Sequence, residues 1–161
     1  MLELADRLVE LCREADAIFI VNDRADIARL SSATGLHVGQ DDLSPADARL
    51  VVGVDAVVGI STHNTEQVVR AIDEPVDYVA VGPVFATSSK ERPDPVVGLD
   101  GVRAAHAIVA PRALPVVAIG GITIERARLV IDAGASSVAV ISDLIAGDPE
   151  ARARAFLDAL A

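Results

Sequence analysis

The sequence predicts an α/β protein built on parallel strands, and three observations carry that prediction. Short Val/Ile-rich runs without polar alternation recur along the chain, as in strands covered on both faces. Each run is followed by a segment with helical spacing, giving strand-then-helix units in strict alternation. Aromatics are only 2% of a chain that is 52% apolar, so Val, Ile, Leu and Ala must build the core, as they do in barrel interiors. The pattern fits a (β/α) barrel or a doubly wound sheet.

Leu4, Leu8, Leu11 and Cys12 recur at helical spacing and predict a helix over 2–15. A strand is expected over 17–21, a short helix over 27–32 and a second strand over 35–38. Ser44-Pro45 reads as a capping serine with proline in the first turn, opening a helix to about residue 51. Strand 56–60 runs into Ser61-Thr62-His63, and Asn64-Thr65-Glu66-Gln67 resembles a capping box for a helix to about 72. Strand 78–81 leads into the longest irregular stretch, 82–98. A loop of that length in a compact domain is usually functional or disordered.

A helix over 99–109 and a strand over 116–119 follow. After the turn Gly120-Gly121-Ile122, Thr123 can cap a helix that stops at Ala133-Gly134, with Gly134 as its left-handed terminator. Strand 137–141 precedes Ser142-Asp143-Leu144, and Asp148-Pro149-Glu150 opens a final helix to about 160. Six units result, with no linker or change of composition, so one domain over 1–161 is expected. A closed parallel barrel has eight strands. This chain begins on a helix, as though two strands and a helix were absent upstream.

A net charge of −10 argues against nucleic-acid or anionic-membrane binding. An acidic protein that takes an anionic ligand needs local help from a metal, a lysine or helix N-termini. Cys12, the single cysteine, cannot form an intrachain disulfide and is expected as a buried thiol on the first helix. No apolar stretch is long enough to span a bilayer. The N-terminus carries acids and lacks both a basic start and a small-residue cleavage site, so a soluble cytoplasmic protein is expected.

Chemistry in parallel α/β proteins gathers at the carboxyl ends of strands. Asn22-Asp23 and Gln40-Asp41-Asp42 stand at two such ends. Asp23 and Asp42 are therefore expected side by side on one rim, a natural arrangement for Mg2+, with Asp41 a turn residue. The plainer reading of both segments is solvated turn formers. A lone His63 at a strand end is more often structural than catalytic, as is His37 within a strand, and His106 is expected at a helix surface. No second histidine or cysteine sits at zinc-ligand spacing, and no nucleophile elbow is present. Thr87-Ser88-Ser89-Lys90 suits an anion-binding lid with Lys90 as a point charge, or else an ordinary polar loop. Gly120-Gly121 would let backbone N–H groups approach a phosphate, and Ile141-Ser142 would offer a second helix N-terminus beside it.

FIVNDRADIA, GLHVGQDDL, GISTH, YVAVGPVFATSSK, PVVAIGGIT and VAVISDL stand in the order and spacing of thiamine phosphate synthases, and the chain resembles that family over essentially all 161 residues. The resemblance implies a (β/α)8 TIM-barrel fold, here as six units of an incomplete barrel. It implies an enzyme that joins 4-amino-2-methyl-5-hydroxymethylpyrimidine diphosphate to 4-methyl-5-(2-hydroxyethyl)thiazole phosphate and releases pyrophosphate. Asp23 and Asp42 would hold Mg2+ on the leaving diphosphate. Asn22, Ser61 and Lys90 would contact the pyrimidine substrate, with Ser61 and Lys90 acting in catalysis. Thr87, Ser89, Gly121, Ile141 and Ser142 would hold the thiazole phosphate.

The chain departs from the family where the first two strands would stand, and with them a Gln/Arg/Lys motif that grips the diphosphate. Each charge-assisted bond of that kind contributes roughly 1.5–3 kcal/mol. Open sheet edges would favour a homodimer. Ser89 replaces the usual threonine and keeps its hydroxyl. Two other readings follow: a thiazole tautomerase paralogue with His63 as the proton-transfer group, and a silent partial barrel that binds thiazole phosphate or a partner chain.

Overall fold

The computed structural model describes residues 1–87 and 94–161. These form two compact units, one of residues 1–61 with 73–78 and one of 62–72 with 79–161. The first unit carries α1 (Leu2–Glu14), β1 (Ile20–Asn22), α2 (Ala25–Ser31), β2 (Gly35–Val38), α3 (Pro45–Val52) and nearly all of β3 (Val57–Thr62). Its strands pair in parallel, Ile20 opposite Gly35 and Gly35 opposite Val57. The second unit carries α4 (Thr65–Ala71), most of β4 (Tyr78–Val81), α5 (Gly98–Val109) and a 3-10 turn (Ala110–Arg112). It continues with β5 (Val116–Ile119), α6 (Ile124–Asp132), β6 (Ser137–Ala139) and α7 (Pro149–Leu160). Here too pairing is parallel, Val79 opposite Val116 and Val117 opposite Ser137. Strand-then-helix alternation thus holds throughout the described residues, and the α/β class is the expected one.

Branched aliphatics fill each core. Leu36, Val38 and Val58 are fully buried in the first unit, and Val79, Val102, Val116 and Val130 in the second. Several helix starts follow from single side chains. Ser44 Oγ accepts the Asp47 N–H at 3.1 Å, and Asp148 Oδ1 accepts the Glu150 N–H at 3.1 Å. Asn64 Oδ1 accepts the Gln67 N–H at 2.9 Å, while Gln67 Oε1 reaches back to the His63 N–H at 2.6 Å, one residue before the position a capping box uses. Gly134 ends α6 at φ 108°, as expected of the terminator.

Several expectations need correction. In α1 the buried stripe is Ala5 and Val9, while Leu4 and Leu11 are each 58% exposed. That helix packs against α2. Cys12 is half-buried rather than buried. The first strand begins only at Ile20, where Gly35 becomes its partner, and β3 runs on through Ser61 to Thr62. There the Thr62 hydroxyl donates to the Ala80 carbonyl at 2.9 Å, and the Thr62 carbonyl accepts the Gly82 N–H at 3.1 Å. Thr123 occupies the cap position of α6 without a capping bond. Strand β6 ends at Ala139, so Ile141 and Ser142 lie in a turn and no helix begins there. Among the described residues, no helix is long and apolar enough to cross a membrane.

Candidate functional site

In the first unit the carboxyl ends of β1 and β2 bring the two predicted acids to one rim. Asn22 closes β1, and Asp23 follows at φ 65°, its N–H donating to the His37 carbonyl at 2.8 Å. An aspartate tolerates that left-handed conformation better than most residues. Beyond β2, Asp42 Oδ2 accepts the Gly39 N–H at 2.8 Å and so closes the GQDD turn, with Asp41 exposed on it as expected. The negative charge of Asp42 is felt at the His37 ring. Both acids are exposed and present hard oxygen donors. Among the described residues no cluster of three or more His, Cys, Asp or Glu could hold a metal. Two carboxylates completed by water and substrate oxygens are what Mg2+ accepts, so this donor set fits that ion.

Ser61 stands at the same end of β3, and its setting is the part sequence reading missed. His37 Nε2 lies 2.8 Å from Ser61 Oγ, and His37 Nδ1 lies 2.8 Å from the Tyr78 hydroxyl. The two rings stack with centroids 5.5 Å apart and planes at 24°. Glycine at 59 makes room, because a Cβ there would collide with the Tyr78 ring. Gln40 Nε2 donates to the Ser61 carbonyl at 2.6 Å. Burial pushes the His37 imidazole below its ordinary range, against a smaller upward pull from Asp42, and burial raises the Tyr78 phenol. The imidazole is neutral and the phenol protonated at physiological pH. Strand periodicity could place His37 but not its partners, which lie 24 and 41 residues away in sequence.

The second unit builds a different rim. Gly120 and Gly121 turn sharply after β5 at φ 99° and 62°. A Cβ on Gly121 would come within 2.5 Å of the Ala86 carbonyl oxygen, so the bare turn lies directly against the segment leading to half-buried Thr87. Arg126 lies 4.7 Å above the Phe85 ring and donates to the Gly121 carbonyl at 3.2 Å. Ile141 and Ser142 are exposed in the turn after β6. The next residue, Asp143, accepts the Ile124 N–H at 3.1 Å, pairs with the Arg152 guanidinium, and takes Arg152 Nε on its own carbonyl at 3.1 Å. A carboxylate thus occupies the α6 N-terminus and ties down the turn carrying Ile141 and Ser142. Sequence reading assigned Asp143 no role.

His63 Nδ1 donates to the Gly82 carbonyl at 2.6 Å, and Nε2 lies 3.5 Å from Asp94 Oδ2. His106 is exposed on α5, as expected. Ser89 and Lys90 lie outside the described residues.

A family model described as thiamine monophosphate synthase matches residues 1–144. The chain belongs to that family. A thiamine-phosphate synthase of Koribacter versatilis is 57% identical over 145 residues, which cover 90% of this chain and 67% of the relative. One from Haloarcula marismortui is 45% identical over 159 residues, 98% of this chain and 75% of the relative. Among solved structures, thiamine phosphate pyrophosphorylase from Pyrococcus furiosus superposes with a TM-score of 0.83 at 32% identity, covering 99% of this chain and 77% of that one. The chain spans 65–67% of the length of the first curated synthases it matches.

Proposed function

We propose that this chain carries the chemistry of a thiamine phosphate synthase. It would join the pyrimidine diphosphate to thiazole phosphate, giving thiamine monophosphate and pyrophosphate. The observation that carries the reading is the placement of Asp23 and Asp42 at the carboxyl ends of neighbouring parallel strands. Bound there, Mg2+ supplies a Lewis acid for the leaving diphosphate. Asn22 and Ser61 orient the pyrimidine end, and Lys90 neutralises diphosphate charge. The C–O bond to the pyrimidine methylene breaks with its electron pair departing on pyrophosphate. The aminopyrimidine ring stabilises the resulting cation, and the thiazole nitrogen lone pair closes the new C–N bond. No protein nucleophile is needed.

In the second unit, the Gly121 N–H and those of Ile141 and Ser142, with the hydroxyls of Thr87 and Ser89, hold the thiazole phosphate. The architecture is of the (β/α)8 barrel type, the setting cytoplasmic, and exposed Ile18 before β1 suits pairing with a second copy. A tautomerase reading is not favoured: the cited relatives bear the synthase name, and both ring nitrogens of His63 are engaged.

The test incubates the chain with both substrates and Mg2+. Thiamine monophosphate and pyrophosphate should appear in equal amounts, and chelation should stop both. Substrate binding without any product would reject the assignment of catalysis to this chain.

A further inference from the structure

We propose that Tyr78 and His37 form a hydrogen-bond relay of fixed polarity that presents Ser61 as a proton donor to the pyrimidine diphosphate. The identity of that ligand rests on the synthase reading; the relay itself rests on geometry. A neutral imidazole has one donor and one acceptor nitrogen, so two arrangements fit the two 2.8 Å contacts. In the first, Tyr78 donates its phenolic proton to Nδ1 and Nε2–H donates to Ser61 Oγ. The Ser61 proton then points away from His37. In the second, Nδ1–H donates to Tyr78 and Ser61 commits its proton to Nε2.

The choice between them follows from Tyr78. Among the described residues its hydroxyl has one hydrogen-bond partner, Nδ1 of His37. The first arrangement gives the half-buried phenolic proton an acceptor inside the protein, and the second leaves it none there. The relay is also held rigidly. The Tyr78 ring stacks on the imidazole and fills the space above Gly59, while Gln40 Nε2 anchors the Ser61 carbonyl at 2.6 Å. Ser61 Oγ therefore keeps one position, and the relay settles which way its hydrogen faces.

That direction matters chemically. A serine donor can hydrogen-bond a pyrimidine ring nitrogen or a diphosphate oxygen, both acceptors. A serine whose proton is committed to His37 could only accept, which suits the exocyclic amino group alone. Tyr78 and His37 are thus positioning residues that select the ligand edge meeting β3. They act through Ser61 and need not touch the ligand.

Two readouts test this. In ligand-free protein above the imidazole titration range, 15N NMR should show His37 as the Nε2–H tautomer, and Tyr78→Phe should shift it toward Nδ1–H. For turnover, His37→Leu should lower kcat/KM for the pyrimidine diphosphate about 10-fold while leaving KM for thiazole phosphate unchanged. His37→Gln, whose amide nitrogen can take the place of Nε2–H, should recover most of that loss. An Nδ1–H tautomer in the wild type, or a His37→Gln protein as impaired as His37→Leu, would overturn the relay. If the tautomer and its shift are found but the wild type neither binds nor turns over the pyrimidine diphosphate, the relay stands and the synthase reading falls.

Discussion

The carboxyl rims of the two units are built in opposite ways. The first rim is made of side chains: Asp23 and Asp42 carry negative charge outward, and Ser61 is set by His37, Tyr78 and Gln40. On the proposed reading, a divalent cation would bridge these acids to a diphosphate. The second rim is made of backbone. Gly120 and Gly121 expose main chain, and the nearby carboxylate, Asp143, is turned inward onto the Ile124 N–H and Arg152. On the proposed reading, a chain of net charge −10 would hold one phosphorylated ligand by amides and the other through a shared metal. In the proposed reaction that difference would separate the two substrates, because each rim should fail on its own.

Asp23→Asn gives the sharpest separation. Asparagine tolerates the φ of 65°, so the fold should persist while turnover falls about 100-fold or more and the Mg2+ response is lost. Steady-state kinetics at varied Mg2+ check it. Loss of thiazole phosphate binding in the same protein would mean the rims are not separable in this way. Gly121→Ala reverses the pattern. A side chain at φ 62° facing the Ala86 carbonyl should cost about 1–3 kcal/mol. Calorimetry should show weakened thiazole phosphate binding with pyrimidine diphosphate binding kept.

Much of this contrast was legible in the sequence. Strands β2, β4 and β5 lie where they were expected because glycine, proline or charged residues bound each apolar run sharply. Asp23, Asp42 and Gly121 drew attention because each lies within four residues of the end of an apolar run. What pairing across long separations decides was not legible. His37 meets Ser61 and Tyr78 only through strand register, and Asp143 meets Ile124 only because the turn after β6 folds back on α6. The end of β6 was overrun because Val140 and Ile141 continue its apolar run past the last rung, Ile119 opposite Ala139. The boundary between units leaves no mark in composition, since it falls inside β3 between Ser61 and Thr62.

Smaller effects refine the contrast. Asp143→Ala leaves the Ile124 N–H and Arg152 without their acceptor, so KM for thiazole phosphate should rise about 3- to 10-fold. Asp143→Asn, which keeps an acceptor for Ile124, should lose less. An unchanged KM in both would show that the turn holds itself without Asp143. The smallest effect is a pH dependence of stability in the first unit. Burial lowers the folded-state affinity of His37 for protons, so the unfolded chain binds them more readily. Its contribution is complete above the ordinary imidazole range and is lost as pH falls through that range toward the lower folded value. Thermal melts of wild type and His37→Gln should therefore converge on acidification through pH ~6.5.

Calorimetric titration of the Asp42→Asn protein with each substrate in the presence of Mg2+ separates the two rims in a single experiment. Affinity for the pyrimidine diphosphate should fall by at least about 10-fold while that for thiazole phosphate stays at the wild-type value. Equal losses for both substrates, or undiminished diphosphate binding that still requires Mg2+, would contradict the assignment of the cation to Asp23 and Asp42.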